Sequence, residues 1–276
     1  MANNTTALNS ELLATLIGAA QYQAYETSIA RSLVSVFDLP AGSGKTVSVP
    51  VYSAISASNI TDESAASAAD TNTTAASITL SEHVVYHRIT NMLRDSAASD
   101  VFAQLGDQSG RAIAESIDAQ VFAQFANFSG SATSSELTVD RILKAAATLR
   151  SRKLTGPFYA VVSPLAAYNL KKELTNAGGT IAALSGVGNQ VLQSAFIGSV
   201  AGVNIIESAL VATSGTDATC GVFAPSALGH AMRGTIDLQT QYQAADRATD
   251  LVLTGIAGAG TLQASHGIIL VANNEL

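Results

Sequence analysis

The run Thr138-Val-Asp-Arg-Ile-Leu-Lys-Ala-Ala146, followed by Phe158-Tyr-Ala-Val-Val-Ser-Pro164 and Tyr168-Asn-Leu170, switches between two periodicities. Ile142, Leu143, Ala146 and Leu149 fall on one face of an amphipathic helix that Ser135 or Thr138 can cap and that runs through Arg150. Phe158 to Val162 is an unbroken apolar run of strand length, which predicts a buried strand. Pro164 stands where a helix reaching Glu173 begins, because a first-turn residue has no intrahelical use for an N–H. Helix, buried strand and helix in succession predict a mixed α+β unit.

Working toward the N-terminus, Ser96 to Asn127 contains no proline, and Val101, Leu105, Ile113, Ile117, Val121 and Phe125 recur at helical spacing. One long helix is expected, on the order of 45 Å at 1.5 Å per residue. Before it, Lys45 to Tyr52 and Ala75 to Asn91 read as two long strands enclosing Ser53 to Thr74, a stretch of Ala, Ser, Thr, Asn and Asp too poor in large apolar groups to build a core. Together they predict a projecting hairpin. Such a hairpin is marginal alone, so a neighbouring subunit is expected to cover it. Ser10 to Phe37 carries helical spacing, and Ser10 can cap it.

Toward the C-terminus, Asn176 to Asn189 is Gly-rich and reads as a loop, while Gly202 to Ile206 and Cys220 to Phe223 read as short strands. Asp250 to Ile256 and Thr261 to Val271 are strand-like runs, with a turn expected at Gly258-Ala259-Gly260.

Apolar residues make up 47% of the 276-residue chain, charged ones only 13%, and there is no Trp. A free soluble protein has about a quarter of its residues charged, so this surface is expected to be covered largely by copies of itself. The net charge of −7 argues against tight nonspecific binding to nucleic-acid phosphates. A lone cysteine, Cys220, excludes an internal disulfide framework and a multi-cysteine zinc site. No apolar run approaches the roughly 18 to 20 residues that cross a bilayer, and Met1-Ala2-Asn3-Asn4 lacks a basic leader, so no membrane partner is expected.

The motifs that carry chemistry fail one by one. Gly42-Ser-Gly-Lys-Thr46 ends like a phosphate-binding loop, but Leu39 holds the place of the first glycine and a strand follows where a helix is required. His83 and His87 lie four apart in a strand context, roughly 13 Å from each other, too far to share one ion. His230 and His266 have no ligand-spaced neighbours, and no Gly-x-Ser-x-Gly elbow exists. Gly255-Ile-Ala-Gly-Ala-Gly260 lacks the helix and acidic residue of a dinucleotide site. No catalytic, cofactor-binding or metal residue is nominated, and no enzyme activity is expected.

The order of elements resembles the major capsid protein of tailed bacteriophages, the Hong Kong 97-like fold. The more specific likeness lies in the helix, strand, proline and helix run quoted above. It extends to Gly198-Ser-Val-Ala-Gly-Val-Asn-Ile-Ile-Glu-Ser208, Asp246-Arg247, Leu251-Val-Leu-Thr254 and Gly267-Ile-Ile-Leu270. The resemblance implies an N-terminal arm (1–40), an extended loop (41–92), a peripheral domain with the spine helix (93–153 and 245–276) and an axial domain (154–244). It implies self-assembly as hexamers and pentamers into an icosahedral shell around double-stranded DNA, read without sequence specificity. It further implies a virion location, assembly in the host cytoplasm, and scaffolding, portal and cement proteins as partners.

The loop lysine with which some members of the family crosslink the shell to an asparagine has no counterpart, since no Lys lies between Lys45 and Lys144. A non-crosslinked shell is therefore expected. Candidate intersubunit contacts are His83, His87 and Arg88 with Asp62, Glu63 and Asp70 of a neighbour, solvation of these groups being the alternative. The rival readings are an encapsulin-type cargo shell, a soluble enzyme of unknown type and a secreted surface protein.

Overall fold

The computed structural model describes residues 16, 17, 20, 28–40, 42, 44–52, 55, 57, 59, 68, 73–96, 100–130, 133–176, 198–200 and 202–275. In chain order, β1 (Ser35–Leu39), β2 (Thr46–Tyr52), β3 (Thr73–Thr79) and β4 (Ser81–Thr90) precede the helices α1 (Asn91–Ser96) and α2 (Asp100–Ala123). Then come α3 (Val139–Ser151), β5 (Phe158–Val162) and α4 (Pro164–Asn176). The chain closes with β6 (Ser199–Val200), β7 (Val203–Glu207), β8 (Thr213–Ser214), β9 (Asp217–Phe223), β10 (Leu228–Gln243), β11 (Ala248–Thr261) and β12 (Gly267–Asn273).

The central run forms helix, strand and helix as its pattern predicts, except that Leu143, read as part of the apolar face, is 46% exposed and Ala145 is buried instead. Thr138 caps α3, its hydroxyl accepting from the Arg141 N–H at 3.4 Å, and Glu173 of α4 accepts from the Val139 N–H at 2.7 Å. Two otherwise orphaned donors of the first turn are thereby satisfied. Ile142, Ala145, Ala146 and Leu149 are buried against the sheet that contains β5. That sheet runs β12-β9-β5-β7-β6, with β8 beside β9, and β5 pairs parallel with β7 and antiparallel with β9.

A second sheet has the order β1-β10-β11-β4, with β1 parallel to β10 and the other pairs antiparallel. The strands β2 and β3 form a separate antiparallel ribbon. Helix α2 is the spine between the two cores. Ile113 and Ile117 pack with Ile89, Leu251 and Leu253 of the four-stranded sheet. One turn further, Val121 and Phe122, with Phe125 beyond them, enter the core of the six-stranded sheet with Phe158 and Phe223. The rings of Phe122, Phe125, Phe128 and Phe223 lie with neighbouring centroids 5.4 to 5.9 Å apart, in tilted contact.

Several boundaries differ from the sequence reading. The helical reading through Phe37 fails at Ser35–Leu39, which is β1; its alternating burial is set by parallel pairing with β10, a contact some 200 residues away in sequence that no local spacing encodes. The second hairpin strand is two strands broken at Leu80, so that β3 serves the ribbon while β4 joins the four-stranded sheet. Gly258-Ala259-Gly260 is not a turn but the interior of β11. The glycines are required there because β3 crosses the sheet face closely: a Cβ on Gly258 would lie 2.4 Å from the Thr79 carbonyl oxygen. The long helix ends in a 3-10 turn at Gln124–Asn127. The sixteen-residue β10 has no counterpart in the sequence reading; its register shifts between Arg233 and Asp237, where Gly234 takes φ +64°.

The boundaries read from the resemblance cut across these sheets. Helix α3 and strand β12 pack with the six-stranded sheet, whereas β10 belongs to the four-stranded one.

Candidate assembly surface

Side chains of β4 alternate between two environments, and the alternation sorts the candidate residues. Ser81, His83, Val85, His87 and Ile89 face α2, whereas Glu82, Val84, Tyr86, Arg88 and Thr90 point outward and are exposed. His83 Nδ1 lies 2.7 Å from Ser116 Oγ and its Nε2 lies 3.2 Å from Gln120 Oε1, while His87 Nε2 lies 2.7 Å from Ser109 Oγ. Both imidazoles thus serve the docking of this strand onto its own spine helix.

Arg88 faces outward into a carboxylate cluster. Register places it opposite Asp250 on β11. The guanidinium donates from Nε to Asp250 Oδ1 at 2.7 Å, from Nη2 to Oδ2 at 3.2 Å and from Nη1 to Asp246 Oδ2 at 3.0 Å. Tyr86 donates its hydroxyl proton to Asp250 Oδ1 at 2.7 Å. This two-pronged geometry is the strong form of a charge-assisted pair. Hydrogen bonds from Arg88 and Tyr86 hold the Asp250 carboxyl below its usual range, and the bond to Asp250 raises the Tyr86 phenol. A depressed carboxyl stabilises the fold above its unfolded pKa and loses that contribution as pH falls through the folded value. Asp250→Asn should therefore melt below the parent at pH 7, the two curves converging below about pH 4; a constant offset in thermal midpoint across that range would refute the linkage.

Asp62, Glu63 and Asp70 lie outside the described residues. The structure brings together Arg88, Tyr86, Asp246 and Asp250, of which sequence reasoning named only Arg88. The signal that could have found the others is the strand register.

Around this cluster the outer sheet face is open. Val84 and Tyr86 are each 52% exposed there, with Val252 half-buried beside Tyr86, whereas Tyr242 lies by register on the opposite side of the sheet, opposite Thr249 and in line with Ile89. The other end of the same face is covered by the ribbon, whose Ile78 joins Leu80 and Ala231 in a small separate core with Val47, Val49 and Ile256 packed against it.

Beneath the sheet, Asp118 of α2 is buried and accepts from Ser28 Oγ at 2.7 Å, the Ile29 N–H at 2.8 Å and the Ala30 N–H at 3.4 Å. Burial raises its pKa, and the hydrogen bonds partly restrain that rise. The carboxyl thereby fastens residues 28–30 to the spine. Beside it, His230 is only 2% exposed, neither ring nitrogen has a hydrogen-bond partner among the described residues, and burial pushes its pKa down to about 4. Cys220 is enclosed within β9, where burial pushes the thiol up to about 11, the environment of an inert rather than a nucleophilic cysteine.

A spine helix threaded through two sheets, a separate two-stranded ribbon and a half-exposed apolar sheet face define a subunit of the Hong Kong 97-like capsid fold. The sequence model of the phage capsid protein family matches residues 77–264, and the chain belongs to that family. No curated protein matches its sequence. In structure it is similar to the capsid of cyanophage P-SCSP1u, with TM-score 0.70 and 19% identity over 90% of this chain and 89% of that one. It is similar as well to a chain of Gordonia phage Cozz, with TM-score 0.68 and 15% identity over 90% and 87%. A virus-like particle from Pyrococcus furiosus follows with TM-score 0.58 and 13% identity over 92% and 97%.

Proposed function

We propose that this major capsid protein assembles with copies of itself, as hexamers and pentamers, into an icosahedral shell that encloses double-stranded DNA. The observation that carries the reading is the family match over residues 77–264. A half-exposed Val84 and Tyr86 face supports it, since apolar sheet surface of this kind is buried in stable assemblies. The chain acts as a structural subunit of the virion rather than an enzyme, built in the host cytoplasm with scaffolding, portal and cement proteins.

The shell is held by noncovalent contacts, because residues 46–143 contain no lysine to form an amide link. Residues 1–40 act as the arm, 41–92 as the extended loop, 93–153 with 245–276 as the peripheral domain and 154–244 as the axial domain. Separate hydrophobic cores under the two sheets support a division into two units, with α3 and β12 sharing the core of the six-stranded sheet. His83 and His87 shape the contact indirectly by seating β4, and the outward side of Arg88 lies within it.

Light scattering and negative-stain imaging of the full chain, alone and with scaffold, test this reading. Closed shells or rings of five and six are expected, and boiling in denaturant should return them wholly to single chains. A monomer of 28.1 kDa at every concentration would refute it. A cargo-holding shell is the second reading, favoured by the likeness to the virus-like particle; protein rather than DNA inside the particles would select it.

A further inference from the structure

The spine helix and the four-stranded sheet do not meet evenly. Under β10 they leave a cavity of about 30 Å3, roughly the room of one water molecule and too little to hydrate a cation. Its walls include Ile113 and Ile117 of α2, Met232 and Ile236 of β10, and Ser28 and Arg31. His230 lines it as well, 2% exposed, with neither ring nitrogen bonded among the described residues. Arg31 is the one other charged group among the described residues lining the cavity. A proton added to His230 therefore places a second positive charge in an apolar enclosure.

The walls differ in what holds them. His230 belongs to a strand paired on both sides, opposite Val36 of β1 and Ala259 of β11, and Ile113 and Ile117 are buried in the core of the four-stranded sheet. Residues 28–32 have one buried side chain, Ala30. Their hold on the spine is polar: Ser28 Oγ and the Ile29 and Ala30 N–H groups all donate to the Asp118 carboxyl, and Arg31 reaches the exposed Asp38 of β1 at 4.0 Å. Leu33 and Val34 lie in the core of the six-stranded sheet, and Leu16 and Ala20 in that of the four-stranded one, so the chain is anchored on either side of this stretch. We propose that residues 28–31 form an acid-opened latch, a wall of the His230 cavity that lifts from α2 to admit water to the imidazolium while both cores stay folded. The device belongs to the single chain and does not depend on the shell-forming reading.

The charges around the ring set the direction. Burial pushes the His230 pKa down to about 4, Arg31 and His83 push the same way, and Asp38 opposes them. Opening returns the ring to its ordinary value of about 6.5, so the open form binds more protons throughout that window and acid favours it. Asp118, on the spine side of the latch, works against opening: burial raises its pKa, and its carboxyl keeps a proton more readily in the closed form.

Deuterium exchange of the full chain at pH 6.5 and pH 4, corrected for intrinsic rates, tests the latch through the two amides that Asp118 holds. Exchange at Ile29 and Ala30 should rise on the order of a hundredfold at pH 4, while residues 113–121 of α2 and 228–232 of β10 keep their protection. His230→Leu should abolish the rise and leave both amides protected at either pH; His230→Met, longer and more adaptable, is the second neutral replacement if leucine does not fold. The parent profile decides by itself between local and global opening. Equal protection at both pH values, an undiminished rise in a folded His230 variant, or loss of protection in α2 and β10 together with residues 28–31 would each overturn the proposal.

Discussion

Gly258→Val is expected to lower stability by about 3 kcal/mol, although valine is the better strand former by intrinsic preference. The two effects have opposite signs, which makes the substitution decisive. Gly258 lies in the interior of β11 on the face crossed by β3, and any Cβ there meets the Thr79 carbonyl oxygen at 2.4 Å and its carbon at 2.9 Å. The obstacle is backbone, so no rotamer change relieves it. Gly260 repeats the arrangement against the Ser77 carbonyl oxygen at 3.0 Å. The valine variant should melt lower, and the β2–β3 ribbon should become the first site of proteolytic cleavage as Ile78 and Leu80 lose their seat. A variant as stable as the parent, with an uncleaved ribbon, would show that β3 does not cross β11 at Gly258.

Acidification from pH 6.5 to 4 should cost the fold about 3 kcal/mol through His230 alone, as the unfolded chain takes up a proton that the folded chain refuses. The sign follows from burial. The folded value is about 4, and the ring is 2% exposed with both nitrogens unpartnered among the described residues. The unfolded value is about 6.5. Between them the unfolded state binds more protons, so stability rises with pH through that window and levels off above it.

The surroundings divide in their influence. Desolvation leads, Arg31 and His83 push the same way, and Asp38 opposes them. Asp118, with its raised pKa, works in the opposite sense, since its neutral form is favoured in the fold as pH falls. Comparison with His230→Leu isolates the imidazole: the leucine variant should lose most of the slope of thermal midpoint between pH 6.5 and 4. An unchanged slope would assign the acid sensitivity to other groups.

How far the fold could be read from residues depended on where each pattern drew its cause. The helix at Val139–Ser151, the strand at Phe158–Val162 and the helix from Pro164 declare themselves because cap, period and proline are local features, and tertiary packing agrees with each. Residues 35–37 failed the same test. Their helical spacing was real, but a parallel partner 190 or more residues away captured them as β1. The glycines of β11 misled for a related reason: a glycine demanded by a crossing backbone looks, in sequence, like one demanded by a turn.

The candidate surface divides in the same way. Arg88, His83 and His87 stand out as charged or titratable groups within an apolar run, and alternation alone puts Arg88 opposite in face to the two histidines. That Arg88 would meet Asp250 and Asp246 required the β4–β11 register, to which nothing near Arg88 in sequence contributes. His230 could be named, but its lack of a hydrogen-bond partner among the described residues belongs to the packing of α2 and residues 28–31 against β10.

By itself, then, the sequence determined the α+β class, the spine helix, the ribbon's existence and a surface too poor in charge for a solitary protein, because composition and period are properties of short stretches. Only the tertiary structure decided which strands share a sheet, which face stays open and what encloses His230. Those outcomes depend on pairings between distant segments, whose free energy is realised only once the chain has closed on itself.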